Sequence, residues 1–181
     1  MCLCPRQKKK KMQAQKNNIV LIGMMGSGKS MIAKALAKAL KLKLYSTDAL
    51  IEKKAKLKIR AIVAKKGWDY FRKIEHAVVK NVASKHGVVI DCGGGIVVNP
   101  ENLKLLRKHG KIIFLKASLA VIYKRIKNDF NRPLVSESSD PYQTMKMLYK
   151  QRLPLYNQAD LKINTSGPTI DLPVARILKK I

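Results

Sequence analysis

The stretch Ile19-Val20-Leu21-Ile22-Gly23-Met24-Met25-Gly26-Ser27-Gly28-Lys29-Ser30 decides the fold. Four consecutive large apolar residues predict a strand buried on both faces, as in a parallel sheet. That strand runs straight into Gly23-x-x-x-x-Gly28-Lys29-Ser30, a complete GxxxxGK[ST] pattern. The glycines let backbone N–H groups turn inward and cradle phosphates. Lys29 reaches the β- and γ-phosphates, and the Ser30 hydroxyl ligates Mg²⁺. A helix is predicted from Lys29 to about Leu40, with Ile32, Leu36 and Leu40 on one face, and its positive end points at the same phosphates. A strand before and a helix after are the context this motif requires, so a chance glycine-rich turn is a poor account of it. Gly26, Ser27, Gly28, Lys29, Ser30 and Met31 are the candidate nucleotide-contacting residues. The motif does not name a phosphoryl acceptor.

Outward from this stretch, apolar runs and periodic segments alternate. Further strands are expected near Leu42–Tyr45, Val88–Asp91, Lys111–Leu115 and Leu161–Asn164. Helices are expected from Asp48, read as an N-cap, and over 59–66, 68–85, from Pro100, over 118–127, over 142–158 with a break or kink at Pro154, and over 172–181. The polar segment 128–141, with Pro133 and Pro141, reads as a mobile loop. Strands alternating with helices imply a parallel sheet covered on both faces: a three-layer α/β/α sandwich with five strands, binding ligands at the strands' carboxyl ends.

At 181 residues the chain suits one domain, 17–181, preceded by a disordered basic tail at 1–16. No apolar run approaches a membrane span, and the start lacks a secretory core. Three cysteines make no disulfide framework; Cys2 and Cys4 form at most half a metal site, so a reducing cytoplasm is expected. Thirty-eight basic residues against eleven acids give a net charge of +27. Such a surface attracts polyanions without sequence preference. The lysines are spread along nearly every helix with few aromatics between them, which favours solvated faces over a dedicated nucleic-acid role. A monomer is expected. Against this background, Asp48, Glu52, Glu75 and Asp91 stand out because all four fall in or beside segments that look functional.

Those segments are Ser46-Thr47-Asp48-Ala49-Leu50-Ile51-Glu52, Phe71-Arg72-Lys73-Ile74-Glu75, Gly93-Gly94-Gly95, Arg132-Pro133-Leu134 and Arg152-Leu153-Pro154-Leu155-Tyr156. With the phosphate loop they resemble, in order and interval, the pattern of the shikimate kinases: GxMGSGKS, DxDxxIE, FRxxE, a triple glycine, an RPL lid and a late RxxxY. The likeness covers about residues 18–180. It implies a P-loop kinase fold with a lid at about 128–141, ATP and Mg²⁺ as cofactors, and phosphorylation of the 3-hydroxyl of shikimate. By this resemblance Asp48 grips the reacting hydroxyl and takes its proton. Arg72 and Arg152 hold the substrate carboxylate in bidentate fashion, and Gly93, Gly94 and Gly95 let the backbone approach the ring. Arg132 closes over the transferring phosphate, Arg125 lies against adenine, and Phe71 supplies an apolar wall. Glu75 holds Arg72 in place.

The chain also departs from that pattern. The first acid of DxD is Ser46, so a carboxylate that helps hold magnesium is missing, while Asp91 stands at a strand end where P-loop enzymes often place a metal acid. Either Asp91 supplies that carboxylate beside Ser30 or it is an ordinary strand-end residue. Lys56 replaces a glycine, Val63 a pocket phenylalanine, and Trp68 a glutamate before FRxxE. Two other readings stay open: a related kinase for another small polyol or acid, and a weakened family member with a polyanion-binding surface.

Overall fold

The computed structural model describes residues 17–127 and 138–181. The basic tail and most of the expected lid, with Arg132, lie outside the described residues. The strands are β1 (Asn18–Ile22), β2 (Lys43–Ser46), β3 (Val88–Asp91), β4 (Gly110–Lys116) and β5 (Leu161–Asn164). The helices are α1 (Lys29–Leu40), α2 (Thr47–Ala55), α3 (Ile59–Ala83), α4 (Pro100–Arg107), α5 (Leu119–Ile126), α6 (Pro141–Tyr156) and α7 (Asp171–Lys180). The expected strands and helices are present with boundaries shifted by a residue or two, except that the two helices expected over 59–85 are joined in α3 and that α6 runs on through Pro154 without the expected break. The strands pair in parallel in the order β2-β3-β1-β4-β5. The crevice at the carboxyl end of β1, between β3 and β4, is the topological switch point where such sheets bind ligands.

Side-chain alternation along the strands makes the three layers. Val20, Ile22, Ile90, Ile112 and Phe114 face the layer built by α3 to α6. Leu21, Val89, Ile113, Leu115 and Ile163 face α1 and α7, meeting Ile32, Leu36 and Ile177. Both faces of the central strands are buried, so their sequences read as unbroken apolar runs.

Local punctuation behaves as polar chemistry dictates, with three corrections. Asp48 is not the N-cap of α2: Ser46 is, its Oγ accepting from the Ala49 N–H at 3.4 Å, and Asp48 sits in the first turn. Glu52 is a structural cap, accepting from the Ile59 N–H at 3.1 Å and from Lys58 Nζ at 2.9 Å, and so closes the start of α3. The two helices expected over 59–85 form one element broken at Gly67 (φ 76°, ψ 172°), a backbone conformation that side-chain-bearing residues rarely adopt.

Lys56 ends α2 with φ 53°, the left-handed conformation that glycine favours at this position. Lys56→Gly should therefore raise unfolding free energy by about 1 kcal/mol, the penalty of left-handed backbone for an L-residue. Urea unfolding of the two proteins measures it.

Candidate active site

The nucleotide half is built where β1 ends. Gly26 and Gly28 turn the loop with φ of 73° and 87°. A methyl on Gly26 would meet Ile126 Cγ2 at 2.7 Å, so the loop seats against α5 only with glycine there. Lys29 is buried, and its Nζ donates to the Met24 carbonyl at 2.9 Å, which keeps the ammonium inside the curl of the loop. Ser30 Oγ donates to Asp91 Oδ2 at 2.7 Å, joining the start of α1 to the end of β3. The second oxygen, Asp91 Oδ1, is buried with no hydrogen-bond partner among the described residues.

A cavity of about 360 Å³ opens beside the loop, lined by Met31, Ile32, Arg125, Thr165, Pro168 and Ile170 among others. Sequence reasoning placed Met31 and Arg125 here and missed the loop after β5. Arg125 donates to the carbonyls of Gly26 at 3.2 Å, Thr165 at 3.1 Å and Gly167 at 2.9 Å. Its edge is thereby committed to backbone, while the planar guanidinium remains a surface suited to stacking. Thr165 Oγ1 donates to the Ser27 carbonyl at 2.8 Å, a second tie between the phosphate loop and this segment.

The second half converges on the triple glycine after β3. Arg72 Nη1 donates to Glu75 Oε2 at 2.6 Å and to the Gly95 carbonyl at 3.3 Å. Its guanidinium lies 5.1 Å from the Phe71 ring centre and 5.4 Å from that of Trp68. Two aromatic faces and one buried carboxylate fix the fork's direction. Arg152, buried on α6, donates to the Gly94 carbonyl at 3.4 Å. Asp48 lies against Gly93 so closely that a methyl there would overlap Asp48 Oδ1. The Gly93 N–H is taken by Thr47 Oγ1 at 2.8 Å. Gly93 therefore forms the floor under Asp48, and its amide is used internally. Gly94 backs onto the phosphate loop, its Cβ position 3.3 Å from Met25 N. The structure thus brings Asp48, Arg72, Arg152 and Gly93–Gly95 together beside the loop. Arg132 is outside the described residues.

Charge and burial shape this half. Burial pushes the Glu75 carboxyl above its ordinary value even though the Arg72 guanidinium opposes the shift. Burial, with Asp91 next to it, drives the Cys92 thiol well above its usual value, which leaves Cys92 without thiolate reactivity. Tyr156 is fully buried, stacks on Phe114 with centroids 5.0 Å apart, and donates its hydroxyl to the Gly94 carbonyl at 2.5 Å. Thr47 and Tyr156 both hold the triple-glycine turn, and neither role was legible without the fold.

Desolvation pushes the Tyr156 hydroxyl up to about 12 from 10.0. From pH 10 to 12 the unfolded state releases this proton while the folded state keeps it, so stability present below pH 10 is lost as pH rises through that window. Tyr156→Phe keeps the ring and removes the ionisation. Its unfolding free energy should lie below wild type at pH 9 and close that gap by on the order of 2 kcal/mol towards pH 12, measured by urea titration at both pH values.

The family model for shikimate kinase matches residues 25–181. Shikimate kinase of Sulfurihydrogenibium sp. (strain YO3AOP1) is 38% identical over 164 residues, covering 91% of this chain and 97% of that protein. The chain belongs to the shikimate kinase family. Another relative, shikimate kinase of Thermodesulfovibrio yellowstonii, is 41% identical over 163 residues, covering 90% of this chain and 94% of its own. Among solved structures, shikimate kinase from Acinetobacter baumannii in complex with shikimate superposes with a TM-score of 0.89 at 30% identity, over 94% of this chain and 95% of that one. The enzyme from Aquifex aeolicus gives 0.78 at 34% identity, over 90% and 94%. Membership makes this chain a kinase with the P-loop kinase fold. No helix among the described residues is long and apolar enough to cross a membrane.

Proposed function

We propose that this shikimate kinase family member transfers the γ-phosphoryl group of ATP to the 3-hydroxyl of shikimate, yielding ADP and shikimate 3-phosphate. The observation that carries the reading is the convergence of two arginines and a carboxylate, Arg72, Arg152 and Asp48, on one glycine turn packed against the phosphate loop. That arrangement suits a small acceptor with an anionic group at one end and a hydroxyl at the other. The forks of Arg72 and Arg152 bind its carboxylate. Asp48 accepts a hydrogen bond from the reacting hydroxyl and takes its proton as the phosphoryl group arrives. The amides of Gly94 and Gly95 lie along the ring, and Phe71 covers an apolar side.

On the donor side the loop amides and Lys29 hold the phosphates, with the adenine against Arg125. Ser30 Oγ and Asp91 form a hard oxygen pair at the start of α1, and the buried unpartnered Oδ1 of Asp91 fits a small divalent cation. Magnesium held there by Ser30 and Asp91 would neutralise charge that develops on transfer. Arg132, by its place in the RPL segment, adds positive charge over the transferring group and excludes water.

A coupled assay of ADP release with and without shikimate tests the reading. Shikimate-dependent release, with the product phosphorylated at the 3-position by NMR, is the expected result. Turnover of a different polyol or acid in place of shikimate sinks it.

A further inference from the structure

Ser46 and Asp91 are Cα partners in the β2–β3 ladder, each the last residue of its strand. They also face the same layer. Leu44 and Val89, two residues earlier on each strand, both belong to the cluster around α1, and a period of two puts 46 and 91 on that side as well. The bond from Ser30 Oγ on α1 to Asp91 Oδ2 agrees with this placement. Asp91 is only 7% exposed, and its Oδ1 is buried without a hydrogen-bond partner among the described residues. A carboxylate oxygen in that situation costs free energy unless a cation or a donor takes it. The Ser46 hydroxyl, by contrast, is occupied with capping α2.

We propose that positions 46 and 91 are alternative seats for a single metal carboxylate, and that this chain has placed it on β3, so that Ser30 and Asp91 together hold the divalent cation. The inference rests on the kinase reading above. Neighbouring strands lie about 4.8 Å apart, so an acid at both positions would set two carboxylates side by side on one face, where like charges oppose each other. An acid at neither would leave the Ser30 hydroxyl without a charged partner. Magnesium keeps several of its waters and takes one or two carboxylates, so a single acid at this corner is sufficient. Aspartate is itself a favoured N-cap, so Ser46→Asp preserves the start of α2.

The test uses the full chain and Mn²⁺ as the probe, its free fraction read by electron paramagnetic resonance in the presence of ADP and without shikimate. Four proteins are compared: wild type, Asp91→Asn, Ser46→Asp and the double variant. Asp91→Asn should weaken Mn²⁺ binding by at least about tenfold, the loss that even an outer partner of a metal ligand causes. Ser46→Asp in that background should recover most of the loss, whereas Ser46→Asp alone should not tighten binding. Wild-type affinity in Asp91→Asn overturns the assignment. A double variant no better than Asp91→Asn overturns the exchange of seats. Recovery in the double variant could not follow from a damaged phosphate loop. Shikimate turnover does not enter this measurement, so a kinase that proved to use another acceptor would leave its result standing.

Discussion

Asp48→Asn should lower kcat for shikimate phosphorylation by about a thousandfold, within the range that positioned proton acceptors contribute. Asparagine keeps the size of the side chain and one acceptor oxygen, so the hydroxyl still finds a partner, but the amide cannot take its proton. The loss should therefore fall on kcat and leave shikimate affinity within a few-fold of wild type. Affinity is measurable independently of turnover, because Trp68 is the chain's one tryptophan and its ring centre lies 5.4 Å from the Arg72 guanidinium. A carboxylate arriving at Arg72 should change that fluorescence. A drop in kcat smaller than tenfold would remove Asp48 from the proton-transfer role. A loss confined to affinity would reduce it to a binding group.

Gly95→Ala tests the other end of the acceptor pocket with a single methyl group. Gly95 has φ −94°, ordinary for any residue, so alanine brings no backbone strain. Its Cβ, however, would stand 2.6 Å from both Nη atoms of Arg72 and 3.0 Å from Cζ. The guanidinium must move, and it is held at 2.6 Å by the buried carboxylate of Glu75. Displacement by about an ångström costs on the order of a hundredfold when geometry positions a substrate. The expected result is a fall of that size in kcat/KM for shikimate, most of it in KM, with ADP affinity unchanged because the nucleotide loop lies on the far side of Gly94. An unaltered KM for shikimate would show that Arg72 does not bind the carboxylate. Arg72→Lys should reproduce much of the same loss, since an ammonium cannot make the bidentate contact.

The nucleotide half was largely written in consecutive residues. A buried strand, two glycines at fixed offsets, Lys29 and Ser30 specify their geometry through local backbone conformation, and the structure follows them residue by residue. The acceptor half was legible only as a set of short motifs whose order resembled a family. Even there one local role moves: the cap of α2 is Ser46, which the motif shows only as a missing carboxylate, and Asp48, expected both as that cap and as the carboxylate for the reacting hydroxyl, lies against Gly93. Glu52 looked functional and serves the start of α3. Spacing could not separate these cases, because a carboxylate's role depends on which N–H group or ligand the fold brings to it.

The strands and helices, the phosphate loop and the absence of an acid at 46 depend on residues within a turn or two of one another and can be read along the chain. What holds the site depends on contacts made across the fold. The Thr47 to Gly93 bond spans 46 residues, Tyr156 to Gly94 62, and Thr165 to Ser27 138. Each of these contacts exists because the strands assemble in the order β2-β3-β1-β4-β5, and strand order is set by burial on both sheet faces across the whole chain. The same ordering makes Ser46 and Asp91 neighbours, 45 positions apart in sequence and side by side on one face of the sheet.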